Sequence, residues 1–163
     1  MDAFQRELTE LLPRLRRFAR ALCRDATEAD DLVQAAVERA LRKRDQWRPG
    51  TRLDSWMFTL MKNAWIDETR SRSRRIALFR PAEEGGGRAE DRDPLGTRLV
   101  GTAVERAMAS LPDEQRLAVA LVLVEGLSYG EAAEVLRIPE GTLTSRLVRG
   151  RQALAQQLEG LAP

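Results

Sequence analysis

The chain has 163 residues, which suits one or two small domains and is short for a large enzyme with an internal cofactor cavity. Lysine and arginine number 27 against 25 acidic residues, and 43% of the residues are hydrophobic, which predicts a soluble protein with modest cores. With one cysteine and no histidine, the chain cannot form an internal disulfide and lacks the usual zinc ligands and the commonest general base.

The sequence shows no signal for a membrane or for export. No apolar run approaches the roughly 20 residues that span a bilayer, and the start, MDAFQRELTE, lacks the pattern of a signal peptide. We therefore expect a cytoplasmic protein without direct membrane insertion. It is not expected to be an enzyme or to use a metal, another cofactor or a small-molecule substrate. Cys23 is expected to be a small buried apolar residue rather than a redox sensor.

Residues 2–23 carry apolar side chains at helical spacing and predict an amphipathic helix. Pro13 within this stretch either kinks the helix or separates two helices. The arginines along it are expected to form a solvated face, and we assign them no function: Arg14, Arg16, Arg17, Arg20 and Arg24.

A second helix is expected from Thr27 to about residue 43. Thr27 and Asp30 have the spacing of a capping box, in which two side chains satisfy each other's backbone amides. The residues opposite the apolar side are polar: Asp30, Asp31, Gln34 and Glu38. From the residues alone, this polar side is either an ordinary solvated face or a binding surface.

A third helix is predicted over residues 52–75, after the loop DQWRPG and a further capping-box match at Thr51 and Asp54. Opposite its apolar side, and in the loop, lie groups that unpaired or distorted DNA would require: cations for phosphates, an amide for a base edge and a ring for stacking. Residues 42–80 hold eleven basic side chains against four acidic ones, which agrees with such a surface. The candidates are Trp47, Arg48, Lys62, Asn63 and Arg70.

Residues 80–96, RPAEEGGGRAEDRDPLG, predict a flexible linker. Eight of these seventeen residues are charged and six are Gly or Pro, which leaves too little apolar surface to offset the ordering entropy. One helix is predicted over residues 97–109 and another from Pro112 to a stop at Gly126. No strand-like alternation appears, so we predict an all-α chain with two small helical domains, residues 1–79 and 97–163.

The most informative pattern lies at residues 127–158. Ser128 and Glu131 form a capping box, and Pro139 suits the first turn of a second helix. A short alanine-rich helix, a tight turn and a polar second helix describe a helix-turn-helix. A plain helical hairpin is the alternative, and position 137 holds Arg where many such turns hold Gly. Outside its apolar stripe the second helix carries groups suited to a major groove: Thr142, Thr144, Ser145, Arg146 and Arg149.

Together these segments resemble a family. LPDEQRLAVALVLVEGLSYGEAAEVLRIPEGTLTSRLVRGRQAL resembles the C-terminal DNA-binding domain of bacterial sigma factors. ADDLVQAAVERAL, followed by WRPGTRLDSWMFTLMKNAWIDETRSRSRR, looks like their N-terminal polymerase-binding domain. Two domains in this order are similar to the extracytoplasmic-function (ECF) group, and PGTRLDSWMFT is similar to its stress-response members.

The resemblance implies a role for each candidate set. The candidates on the third helix and its loop would hold open the minus-10 promoter element, and those on the last helix would read the minus-35 element. The polar side of the second helix, from Asp30 to Glu38, would dock on the clamp coiled coil of the largest subunit of core RNA polymerase. An anti-sigma factor would be a further partner.

Two other functions remain open at this point. A sigma mimic would keep the fold and capture an anti-sigma factor without contacting DNA. A transcription regulator that used only the helix-turn-helix would leave the first 80 residues unexplained.

Overall fold

The computed structural model describes residues 1–79 and 102–159 and forms two groups of helices. The predicted linker at residues 80–96 and the start of the helix predicted over 97–109 lie outside the described residues. No β-strand occurs in the described ranges, which confirms the all-α class. The elements are α1 (Ala3–Leu22), α2 (Ala26–Arg42), a 3₁₀ turn (Arg44–Gln46), α3 (Leu53–Phe79), α4 (Ala103–Ala109), α5 (Asp113–Val119), a π-helical turn (Ala120–Val124), α6 (Tyr129–Leu136) and α7 (Glu140–Glu159).

Helix α1 runs without interruption through Pro13, so the alternative of two helices is wrong. Asp2 and Gln5 form a capping box at its start. Its apolar stripe packs on α2 and α3, where the rings of Phe18 and Phe58 meet edge to face with centroids 5.0 Å apart. Both side chains are fully buried and form the centre of the N-terminal core.

The predicted caps of α2 and α3 are wrong. Helix α2 begins earlier than predicted, because the Asp25 carboxylate, rather than Thr27, caps it by accepting a 2.7 Å hydrogen bond from the Glu28 amide. At α3, the Thr51 hydroxyl donates backward to the Arg48 carbonyl. Asp54 accepts hydrogen bonds from arginine side chains instead of completing a box with Thr51.

The helix-turn-helix has the predicted capping box, because Ser128 and Glu131 exchange hydrogen bonds with each other's amides. Arg137 ends α6 in the left-handed conformation, with φ 58°. The amides of Arg137 and Ile138 donate to carbonyls of the preceding turn, in the pattern of a Schellman motif. The turn that usually uses glycine is therefore closed here by arginine.

The C-terminal helices pack against the N-terminal ones. Helix α1 contacts α4, α5 and the π-helical turn, and α3 contacts α6. Gly126, with φ 77°, ends the helix after the π-helical turn, at the predicted position. Within the described residues, no helix is long and apolar enough to cross a membrane.

Candidate nucleic-acid interface

Helix α7 separates a buried side from an outward polar side. Leu143, Leu147 and Gly150 are buried at helical spacing and face α4, α5 and α6. Gly150 permits a close approach to α5, because a Cβ built there would lie 2.8 Å from a methyl carbon of Val119. This packing fixes the direction in which the polar side points.

The predicted minus-35 residues lie on that polar side. Thr142, Ser145 and Arg149 occupy positions i, i+3 and i+7, which share one face of a helix. Ser145 and Arg149 are exposed, whereas Thr142 is half-buried. Thr144 is half-buried and its hydroxyl donates to the Glu140 carbonyl, which leaves the oxygen lone pairs for a ligand. This face can present hydroxyl and guanidinium groups to base edges.

Arg146 lies on the same face but has an intramolecular partner. Its guanidinium is 3.7 Å from the Glu114 carboxylate, and its side chain is 26% exposed. Glu114 itself is 70% exposed, so the pair lies at the surface and contributes little to stability. Arg146 is thus available to another acceptor once this contact is released.

The predicted minus-10 residues divide into two groups. Arg48, Asn63 and Arg70 are exposed, and Asn63 and Arg70 share one face of α3 at i and i+7. Trp47 and Lys62 are buried, at 8% and 7% exposure. The five candidates do not form one open surface in this conformation.

The prediction that Trp47 offers an exposed ring for stacking is wrong in this conformation. Its ring packs against Phe4 with centroids 5.6 Å apart, because the 3₁₀ turn folds the loop back onto α1. Its indole nitrogen is buried without a hydrogen-bond partner. In this conformation Trp47 cannot stack on a base.

Lys62 lies on α3, which contacts α6, and Arg137 at the end of α6 is near enough for its charge to act on the Lys62 amine. Burial and, next, the positive charge of Arg137 lower the pKa of the Lys62 amine. No carboxylate of the described residues lies within 4.0 Å of it. The C-terminal helices therefore cover part of the candidate minus-10 surface.

The polar side of α2 is open. All four candidates for polymerase binding are exposed: Asp30, Asp31, Gln34 and Glu38. Beside them a cavity of about 300 Å³ lies between α2 and α3, lined in part by Asp31, Cys23 and Trp65. The described residues hold no group of three or more side chains suited to a metal ion.

An ion-pair network that no sequence pattern predicts joins the two groups of helices. Arg17 donates two hydrogen bonds to Glu125, at 2.9 and 2.8 Å, and Arg14 donates a third at 3.4 Å. The expectation that Arg14 and Arg17 only form a solvated face is wrong. Nothing in the sequence pairs them, since Glu125 lies 108 residues after Arg17.

The network continues from Arg14 to Asp54 at 3.1 Å, then to Arg52 and finally to Glu131 of α6. Burial raises the pKa of Asp54, but hydrogen bonds from Arg52, the Ser55 amide and Arg14 outweigh it and lower that pKa overall. The hydrogen bond to Glu125 raises the pKa of Arg17. Each shift favours the charged form that the pairing requires.

Comparison with known proteins decides the family. Residues 8–62 match the family model described as the Sigma2 domain of PhyR, and residues 102–154 match Sigma-70, region 4. The chain is 34% identical over 158 residues to the ECF RNA polymerase sigma factor EcfG of Rhodopseudomonas palustris, covering 96% of this chain and 86% of that one. The chain belongs to the ECF sigma factors. It is therefore a transcription factor and not an enzyme.

Solved structures agree with the fold of this sigma factor. The sigma factor RpoE of Bartonella quintana, solved with the anti-sigma factor NepR, is 30% identical with a TM-score of 0.81, and 98% of each chain is covered. The anti-anti-sigma factor PhyR of the same organism, solved with NepR, shares the fold at 17% identity and a TM-score of 0.61. That match covers 95% of this sigma factor and 50% of the PhyR chain.

Proposed function

We propose that this sigma factor binds core RNA polymerase and directs transcription from promoters through minus-35 and minus-10 recognition. The observation that carries the proposal is the outward polar face of α7, within the segment that matches region 4. The exposed groups of Ser145 and Arg149 can meet base edges in a major groove, and Arg146 can join them once it leaves Glu114. A good bidentate contact there is worth about 1–3 kcal/mol. A sigma factor adds such contacts to a polymerase that otherwise binds DNA without sequence preference.

Opened minus-10 DNA would be held by the loop and α3. Arg48 and Arg70 supply cations for phosphates, and the amide of Asn63 can bond to a base edge. Lys62 would join them once α6 moves away, and Trp47 once the loop leaves Phe4. The exposed acids and amide of α2 would bind the clamp coiled coil of the largest polymerase subunit, from Asp30 to Glu38.

An anti-sigma factor is proposed as a regulating partner. The B. quintana sigma factor that matches along nearly its whole length was solved with one. Such a partner would act by binding the surfaces that polymerase and DNA require.

Reconstituted transcription tests the proposal. The purified protein is added to core polymerase and fragmented genomic DNA, and transcript starts are mapped. We expect starts at a small promoter set with shared minus-35 and minus-10 sequences. Asp31→Lys should abolish core binding and all starts while the circular dichroism spectrum stays unchanged. Core binding by the unchanged protein without any specific start would contradict the proposal.

One observation favours a second candidate, a sigma mimic. The model that matches residues 8–62 is the Sigma2 domain of PhyR, a protein described in its solved complex as an anti-anti-sigma factor. A mimic would bind an anti-sigma factor and give no transcripts. The same reconstitution therefore separates the two functions.

A further inference from the structure

We propose that Glu125 and Glu131 act as a latch that holds α6 over the minus-10 surface, so that the sigma factor must open before this surface can accept DNA. The proposal rests on the proposed function, because it concerns the access of DNA to α3. It adds an intramolecular control that needs no partner protein.

Glu125 joins the C-terminal helices to α1, which is the first evidence for the latch. Its side chain is fully buried, yet it belongs to the C-terminal helices and its partners Arg14 and Arg17 belong to α1. A buried carboxylate is retained only where charged donors satisfy it, and here both oxygens accept guanidinium N–H groups. Separation of the two groups of helices would break every one of these bonds.

The π-helical backbone just before Glu125 is the second evidence for the latch. The π-helical turn Ala120–Val124 precedes it, and the Glu125 amide donates to the Ala120 carbonyl five residues earlier. A π-helical turn inserts one residue into a helix and rotates the residues after it, and such turns are frequent at functional sites. Here the turn contacts α1, and Glu125 directly after it reaches the arginines of that helix.

Glu131 forms the second point of the latch. It pairs with Arg52 just before α3, and Arg52 is joined through Asp54 to Arg14 and hence to Glu125. Residues of α6 and of the loop and α3 line a common cavity of about 300 Å³: Trp47, Arg48, Thr59, Glu134 and Val135. The latch and this cavity therefore join the same elements, α6 to the loop and α3.

The covered surface also contains groups that oppose closure. Lys62 is buried beside the like charge of Arg137, and the indole N–H of Trp47 has no partner. Arg116, which donates to the Leu22 carbonyl across the same interface, leaves its Nε unpaired as well. Opening would hydrate Lys62 and the Arg116 Nε, so closure depends on the ion pairs that offset their burial.

The chain provides a direct readout, because Lys43 and Lys62 are its only lysines. Lys43 is exposed and serves as the internal reference. The free sigma factor is treated with a bulky N-hydroxysuccinimide ester, and mass spectrometry gives the acylation rate at each lysine. We expect Lys62 to react about tenfold more slowly than Lys43, since the closed form shields it.

The latch variant is Glu125→Gln with Glu131→Gln, which keeps both shapes and the α6 capping box, where Gln also serves. We expect the rate at Lys62 to rise about tenfold. In the open form, the pKa of the Lys62 amine rises toward its ordinary value, so a smaller fraction of the amine is unprotonated and reactive. A faster acylation rate at Lys62 can therefore come only from greater access of the reagent. Arg17→Gln, on the other side of the interface, should act in the same direction if the double variant fails to fold.

The matched control is Glu10→Gln with Glu159→Gln, which changes the net charge equally at two exposed residues outside both the network and the cavity. It should leave Lys62 protected. Equal protection in the latch, Arg17 and control variants would overturn the proposal, as would a Lys62 that reacts like Lys43 in the unchanged protein.

The affinity of each variant for opened DNA is measured with a fluorescein-labelled single-stranded 20-nucleotide probe of mixed sequence. The latch variant should bind it about tenfold more tightly than the control variant of equal charge. Equal affinities would overturn the proposal and leave the proposed function untouched. An open, DNA-binding latch variant that starts no specific transcript with core polymerase would instead refute the proposed function.

Discussion

Arg137 closes the turn of the helix-turn-helix in a conformation that glycine adopts more easily. Its φ of 58° brings Cβ close to the following carbonyl, which costs an L-residue about 1–2 kcal/mol. Arg137→Gly should therefore raise the free energy of unfolding by about 0.5–1 kcal/mol after the extra chain entropy of glycine is subtracted. Urea denaturation followed by circular dichroism measures the change.

Gly126→Ala provides the converse control. Gly126 has φ 77°, and a Cβ there would meet nothing within 4 Å, so any loss comes from the backbone alone. We expect this variant to be less stable than the unchanged protein. A gain for Gly126→Ala, or a loss for Arg137→Gly, would contradict the interpretation of both turns.

Cys23 should be an unreactive thiol. Burial and, next, the negative charge of Glu28 raise the pKa of the thiol to about 12. Since the thiolate is the nucleophile, alkylation by iodoacetamide at pH 8 should be about a hundredfold slower in the folded protein than in urea. Similar rates in both states would show that the site is open and would revive a redox role.

Burial is predicted wrongly for residues whose neighbours in the fold are distant in the sequence. Ser128 is predictable as a cap because its partner lies three positions away. The burial of Trp47 is not predictable, because Phe4 lies 43 positions earlier and only the folded loop brings the rings together. Lys62 fits a solvated helix face by periodicity, yet it is only 7% exposed, and Arg137 at the end of α6 lies near enough for its charge to lower the Lys62 pKa.

The close contact of α5 with α7 fixes the orientation of the polar face of α7. Gly150→Ala would place a methyl group 2.8 Å from Val119 and 3.4 Å from Gln115, so the helices must separate. We expect a loss of about 1–3 kcal/mol in the free energy of unfolding. Gly141→Ala in the same helix has open space around its Cβ and should be neutral or slightly stabilising. Thermal unfolding of both variants checks this, and equal melting temperatures would contradict it.

The polar face of α7 predicts a selective defect for Arg146→Ala. Loss of one guanidinium contact should reduce transcription from promoters with a minus-35 element by about tenfold or more, without changing core binding. Glu114→Gln is the matched control, because it removes the intramolecular partner of Arg146 and keeps the arginine. An equal fall in core binding for Arg146→Ala would show that α7 contacts polymerase rather than DNA.

The existence of the helices is predictable from the sequence, whereas their starts are less so. The 3.6-residue period of the apolar residues indicates α1, α2, α3 and α7 directly. The starts of α2 and α3 differ from the prediction because several capping residues stand close together, and Asp25 rather than Thr27 reaches a free amide. The π-helical turn has no sequence signal in the apolar run at residues 117–124, which fits an ordinary helix equally well.

The same residues belong to two arrangements of the helices. In the closed one, an ion-pair network joins α1 and the start of α3 to Glu125 and Glu131, and Lys62 is covered. In the proposed open one, α3 and its loop face melted DNA while α7 lies on duplex DNA. The individual modules are predictable from their motifs. Their packing is not, because Arg17 and Glu125 are far apart in sequence and each alone looks like an ordinary surface charge.

In the proposed initiation complex, α7 reads duplex DNA and α3 holds opened DNA. Permanganate reactivity of unpaired thymines, measured at a mapped promoter with core polymerase and the sigma factor, tests it most directly. We predict a reactive bubble around the minus-10 element with the unchanged protein, and none with Asn63→Ala although the complex still binds. On a promoter opened in advance by mismatches, Arg146→Ala should still lose occupancy. Bubbles of equal extent and occupancy in both variants and the unchanged protein would contradict the account.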